Sequence, residues 1–203
     1  MTDGGSPQVV LASASAARRA LLTSAGVDCR FEAAQVDEEE LKASFRAEGT
    51  SAAETAEALA ELKARHVSRR HPGALVIGAD QMLDCEGTWF DKPPDLDHAA
   101  GHLRALSGRT HSLWSAVCVL RDDQRLWHHV EEARLTMRSL GEEFIRGYLD
   151  AVGEAACASV GAYQLEGRGA QLFERIEGDY FTILGLPLLP LLDFLRNHGA
   201  VPR

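Results

Sequence analysis

Between the helix breaker Pro72-Gly73 and the acidic residue Asp80 the chain reads Ala-Leu-Val-Ile-Gly-Ala, without one polar side chain. The run is short, bounded by turn signals and continuous, where a strand with one wet face would alternate. That is the pattern of a strand buried on both faces of a sheet. Upstream, Ser51-Ala52-Ala53-Glu54 has the form of a capping box, which predicts a helix running to about His71 with Leu59, Leu62 and Val67 as its buried stripe. The strand is read as ending in a carboxylate at Asp80, and polar groups at strand ends are where sites form.

The rest of the chain intermixes the same two elements. Residues 9–12 (VVLA) form a short apolar run, after which Ser13 and Ser15 precede a helical SAARRALLTSAG. Cys29 to Ala34 is a second strand candidate, followed by the acidic VDEEELKASFRAEG, which starts helically and stops at Gly49. Beyond the turn at Glu86-Gly87 come TWFDKP and a helix from about Asp97 to Leu106. HSLWSAVCVL and LWHHVEEARLTM, separated by the polar RDDQR, are two long antiparallel strands joined as a hairpin. Ser139-Leu140-Gly141-Glu142 opens a helix to about Val152, AQLFERIEG is a strand, and Pro187 starts a last helix with Gly199 beyond its end. The class is α/β. At 203 residues the expectation is a single domain spanning 1–203.

Composition excludes several functions. The formal net charge is -9, with no Lys/Arg-rich block, so a sequence-independent grip on long nucleic acid is not expected. No apolar run reaches membrane-spanning length and the N-terminus lacks a signal-peptide pattern, so neither a membrane partner nor export is expected and the assigned compartment is the cytoplasm. Cys29, Cys85, Cys118 and Cys157 are scattered without a C-x-x-C pair, the usage of a reducing compartment rather than of a disulfide framework or zinc site.

Several residues have the chemistry for a site, each beside a plainer reading. Ser13-x-Ser15-x-x-Arg18-Arg19 at a strand-to-helix junction offers backbone N–H groups, hydroxyls and a guanidinium to a phosphate; the plainer reading is an N-cap serine with solvated arginines. Asp80, charged at the end of an apolar run, must be solvated, paired or metal-bound, and suits either Mg²⁺ or a turn cap. The acidic Asp37-Glu38-Glu39-Glu40 supplies an oxygen ligand for a hard cation or simply starts a helix. Lys63 and Lys92 are indistinguishable by local sequence from surface lysines. His111 has the setting of a hydrogen-bonded structural histidine.

Taken in order, LASASAARRALL, VDEEEL, LAELKAR, IGADQ, FDKP, LSGRTHS, GAYQLEGRGA and IEGDYFTILGLP resemble the Maf family of nucleotide pyrophosphatases from about residue 9 to residue 197. The resemblance implies a mixed sheet in two lobes around a central cleft, related to inosine triphosphate pyrophosphatases, and cleavage of a nucleoside triphosphate to the monophosphate and pyrophosphate. By it Asp80 matches the catalytic aspartate, Ser13, Arg18, Lys63 and Lys92 match the triphosphate pocket, and Asp37, with Asp80, matches acidic positions near a divalent metal cation, Mg²⁺ or Mn²⁺. A homodimer is the family expectation. Positions 17, 81 and 166 separate subgroups by base preference: Arg, Thr and Gln in the branch resembling dTTP/UTP pyrophosphatases, Trp, Gln and Glu in the branch resembling 7-methyl-GTP pyrophosphatases. This chain has Ala17, Gln81 and Glu166, two of the three residues of the second branch. A Maf enzyme of pyrimidine or broad preference, and a non-catalytic nucleotide-binding regulator of septum formation, are the alternatives.

Overall fold

The computed structural model describes residues 6–203. Seven strands form one mixed sheet in the order β2-β1-β3-β5-β6-β7, with β4 paired to β3. The strands are β1 (Val9–Leu11), β2 (Cys29–Phe31), β3 (Leu75–Cys85), β4 (Thr88–Phe90), β5 (Thr110–Arg121), β6 (Gln124–Met137) and β7 (Phe173–Glu177). The helices are α1 (Ala16–Ser24), α2 (Glu38–Ala47), α3 (Ala52–Ser68), α4 (Leu96–Leu106), α5 (Glu142–Val152), α6 (Tyr180–Ile183) and α7 (Leu188–Asn197). The chain divides into two compact units, residues 1–81 with 115–131 and 185–203, and residues 82–114 with 132–184.

In the first unit β1 lies between β2 and β3, parallel to both, with Val9, Val10 and Leu11 opposite Leu75, Val76 and Ile77. These side chains are buried, as the continuous apolar run requires. The capping box of α3 forms as expected: Glu54 N donates to Ser51 Oγ, and Ser51 N donates to Glu54 Oε2 at 3.0 Å. The β5–β6 hairpin turns on Asp122 and Asp123, both left-handed at φ 50° and 66°, the backbone of a two-residue turn matched to strand twist. The second unit has its own core, in which Leu103 and Leu106 of α4, Leu113 of β5, Leu135 and Met137 of β6 and Ile145 of α5 pack together.

Four expectations change in detail. β3 does not end at Asp80: it continues to Cys85, because Leu83, Asp84 and Cys85 pair with Phe90, Trp89 and Thr88 of β4 and the turn comes at Glu86-Gly87. Asp80 is therefore in mid-strand. β2 is shorter than predicted, leaving the sheet after Glu32 N donates its last bond to Leu11 O. On α3 Leu62 is only half-buried, and the buried face runs through Leu59, Lys63 and Val67. Ser139 does not cap α5; Gly141 occupies that position, and Glu142 is held instead by both ends of the Arg104 guanidinium, at 2.8 and 2.9 Å. Among the described residues no helix is long and apolar enough to cross a membrane.

Candidate active site

In the first unit α3 packs directly against β3. A Cβ built on Gly78 would stand 2.0 Å from the backbone oxygen of Ala60 and 2.8 Å from Ala64 Cβ, so glycine there lets the helix lie directly on the strand. Two residues further along the strand is Asp80, and one turn from Ala60 on the helix is Lys63. Close approach brings the two together. Lys63 Nζ donates to Asp80 Oδ1 at 2.5 Å and pairs with Glu38 Oε1 at 2.7 Å. Asp80 and Lys63 are 4% and 7% exposed. Asp80 Oδ2 is buried and has no hydrogen-bond partner among the described residues. A buried carboxylate oxygen without a donor is costly unless something outside the protein engages it.

Glu38 was not singled out from sequence, where Asp37 matched the acidic position. The structure uses the neighbours differently. Asp37 is the N-cap of α2, its Oδ1 accepting from Glu40 N at 3.2 Å, whereas Glu38 reaches Lys63. Burial alone would raise the Glu38 carboxyl, but the ion pair and hydrogen bond with Lys63, helped by Lys42 and Arg18, outweigh it and hold the group below its usual range. It stays ionised at neutral pH.

On the other side of the strand end of β1, Ser15 caps α1 by accepting from Arg18 N at 3.4 Å. The backbone N–H groups of the first turn are thereby presented at the helix N-terminus, where an anion is favoured. Arg18 is only 8% exposed, and its guanidinium is used as a strut. Nε donates to Gly185 O at 2.7 Å, and Nη1 donates to Ala79 O at 2.9 Å and to Ser13 Oγ at 3.3 Å. The plainer reading of solvated arginines therefore fails at position 18. Burial pulls this guanidinium below its ordinary range against the attraction of Asp80 and Glu38, and arginine remains a cation.

Arg18, Lys63, Asp80 and Glu38 thus make a set with two positive and two negative charges inside one unit. The remaining candidates fall around it or in the other unit. Ala17 is half-buried in the first turn of α1, and Gln81 follows Asp80 with its Nε2 donating to Ser115 Oγ at 2.9 Å. Lys92 and Glu166 belong to the second unit and are both exposed, Lys92 just after β4 and Glu166 in the turn before the 3-10 segment Arg168–Leu172. His111, also in the second unit, is buried with Nε2 2.7 Å from Tyr163 Oη, the structural role expected of it.

The donor set fits a hard divalent cation. Among the described residues no three His, Cys, Asp or Glu side chains are grouped to cage a metal, but Mg²⁺ characteristically takes one or two carboxylates and completes its shell with water and substrate phosphates. Asp80, with its unengaged Oδ2, and Glu38 are two such carboxylates, and both already converge on Lys63.

Comparison with known proteins gives a consistent picture. A family model described as Maf-like protein matches residues 8–198. The nucleoside triphosphate pyrophosphatase of Paramagnetospirillum magneticum is 60% identical over 95% of this chain and 99% of its own length. That of Granulibacter bethesdensis is 57% identical over 96% and 98%. The 7-methyl-GTP pyrophosphatase of Rhizobium meliloti is 54% identical, again over 96% and 98%.

Proposed function

The chain belongs to the Maf family and is a nucleoside triphosphate pyrophosphatase, and from that premise we propose that it hydrolyses a guanine-type triphosphate such as 7-methyl-GTP to the monophosphate and pyrophosphate, with Mg²⁺ or Mn²⁺, in a house-cleaning role. The observation that carries the reading is Asp80: a buried, charged oxygen without a protein partner, held in place through its other oxygen by Lys63.

In this scheme water attacks the α phosphorus, the bond from that phosphorus to the α–β bridging oxygen breaks, and pyrophosphate leaves. Asp80 offers Oδ2 to the attacking water or to the bound ion, and both uses need the charged form. Asp80 and Glu38 would hold the cation, which supplies Lewis-acid stabilisation of charge on the phosphate oxygens. Lys63 bridges the two carboxylates and adds positive charge beside them. Ser13 and the N-terminus of α1 receive phosphate oxygens, with Arg18 fixing that loop, and Lys92 is assigned to the triphosphate by the family resemblance alone.

Base selection follows from Gln81 and Glu166. Guanine presents two donors on its Watson-Crick edge, N1–H and the N2 amino group, which a Glu166 carboxylate accepts together. Uracil and thymine present one N–H between two carbonyls, so a carboxylate would face an acceptor. Ala17 gives no aromatic face to the positive ring of 7-methylguanine, so discrimination for the methylated base is weaker than with a Trp there. The 7-methyl-GTP pyrophosphatase name among relatives at 54% identity favours the same branch.

The test measures pyrophosphate and orthophosphate released from 7-methyl-GTP, GTP, UTP and dTTP by the native protein, Asp80→Asn and Glu166→Gln, with and without a chelator. Expected are pyrophosphate as product, dependence on the cation, a native preference for the guanine nucleotides that Glu166→Gln erodes, and a loss of about a hundredfold or more in Asp80→Asn. Orthophosphate with a diphosphate left behind, or a preference for UTP or dTTP in both native and Glu166→Gln forms, contradicts the reading.

A further inference from the structure

A guanidinium has five N–H donors and no acceptor, so the bonds of the buried Arg18 can be accounted for one by one. Nε donates to Gly185 O at 2.7 Å, and Nη1 uses both protons, on Ala79 O at 2.9 Å and on Ser13 Oγ at 3.3 Å. Nη2 has no partner among the described residues. Ser13 Oγ also accepts from Ser15 N at 3.2 Å. Both of its partners are N–H groups that can only donate, so both lone pairs of the hydroxyl are taken and its own proton must be donated elsewhere. What stays unengaged is therefore donors only, the Ser13 O–H and the Nη2 edge, on residues 6% and 8% exposed. Donors left unmatched at that depth favour an anion.

Which edge of the guanidinium is left over depends on Gly185. It lies 167 residues from Arg18 in sequence, where the chain re-enters the first unit, and it gives Nε a backbone carbonyl. Its φ of 92° is a conformation that residues with side chains rarely adopt. A Cβ there would also stand 3.4 Å from both Nε and Nη2, in contact with the donors themselves.

We propose that Gly185 is a positioning residue for phosphate binding: its carbonyl holds Arg18 Nε and so sets the Nη2 edge, alongside the Ser13 hydroxyl, as the donors offered to the triphosphate. The inference rests on the reading that Ser13 and the start of α1 receive phosphate oxygens, and it adds a residue that acts through Arg18.

The experiment measures steady-state kinetics on GTP and UTP, and inhibition by pyrophosphate as a readout of phosphate binding alone, for native protein, Gly185→Ala, Arg18→Gln, their double variant and Gly199→Ala, with thermal melts to verify folding. Gly199 also has a positive φ, 70°, but a Cβ there meets nothing within 4 Å, so Gly199→Ala strains the backbone without touching the guanidinium. Gly185→Ala should raise KM and the pyrophosphate inhibition constant together by about tenfold, the lower end for a hydrogen bond to a charged group. The rise should be equal for both nucleotides, since no base is involved, and kcat should change little, since the contact is made in ground and transition states alike. Gly199→Ala should leave both constants native, and adding Gly185→Ala to Arg18→Gln should change neither further. If Arg18→Gln leaves both constants untouched, the phosphate reading of this loop fails. If Arg18→Gln raises them while Gly185→Ala lowers only the melting temperature or kcat, or Gly199→Ala raises them as much, or the effects of Gly185→Ala and Arg18→Gln simply add, the positioning role of Gly185 is overturned.

Discussion

Replacing Lys63 by methionine tests the centre of the site, because it keeps the stem that packs in the α3 face and deletes only the charge. Asp80 would then lose the sole donor to Oδ1 found among the described residues, with Oδ2 already lacking one. Its side chain is 6% exposed, whereas Glu38, at 41%, can turn its carboxylate to water. The penalty therefore comes from one buried, unpaired carboxylate rather than two. Removing one partner of a buried pair costs about 3–5 kcal/mol, and the solvated Glu38 places this case near 3. For a chain of this size that is a fall in midpoint of about 6–12 °C. Lys63→Met combined with Asp80→Asn removes the stranded charge, so most of the lost stability should return while pyrophosphate release does not. Urea denaturation followed by circular dichroism reads the first quantity, and pyrophosphate production reads the second. If Lys63→Met unfolds at the native urea concentration, or the double variant is no more stable than Lys63→Met, the pair is not what holds Asp80. If Lys63→Met turns over at the native rate, the charge is not at the phosphates.

Two other perturbations probe what supports the site. Gly78→Ala should destabilise by about 3 kcal/mol, the upper end for overpacking, and depress activity with it, because the new Cβ meets the fixed backbone oxygen of Ala60 at 2.0 Å and pushes Lys63 away from Asp80; an unchanged urea midpoint would show that α3 yields freely. His111 is buried beside Tyr163 and Phe173, and desolvation pushes it from 6.5 down to about 4. The folded pKa lies below the unfolded one, so protons bind the unfolded chain first. Stability is full above about pH 6.5, falls as pH drops toward 4 and levels there, with a ceiling of about 3 kcal/mol. His111→Gln should flatten the stability curve across that window relative to the native protein, and parallel curves would remove His111 as the cause.

The parts of the fold that local chemistry determines were legible: the Ser51–Glu54 capping box, the continuous run of β3, and the hairpin at Asp122-Asp123 each follow from a few adjacent residues. The site was less so, since its geometry comes from contacts far apart in sequence. Asp37 and Glu38 are neighbours at a helix start, and nothing local says which carboxylate faces α3; one caps, the other pairs. Arg18 carries the charge of a phosphate ligand, yet its donors are largely taken by Ser13, Ala79 and Gly185, a use that depends on chain 167 residues away.

Lys63 is the instructive case, because the signal was present. It falls four residues after Leu59 and four before Val67, on the buried face of α3, and a lysine there is untenable without a counter-charge. Asp80 poses the complementary problem, a carboxylate inside an apolar strand. Each anomaly alone has a plain explanation, a surface lysine or a turn-capping aspartate. Together they constrain one another, since each needs an opposite charge at a depth that solvent does not reach, and Gly78 two residues before Asp80 is what allows the helix to come close enough to supply it. A cation in a helix stripe, a carboxylate in a buried strand and a glycine beside it therefore predict a contact that none of the three predicts singly. The oxygen left over once that contact is made, Asp80 Oδ2, is where chemistry can occur.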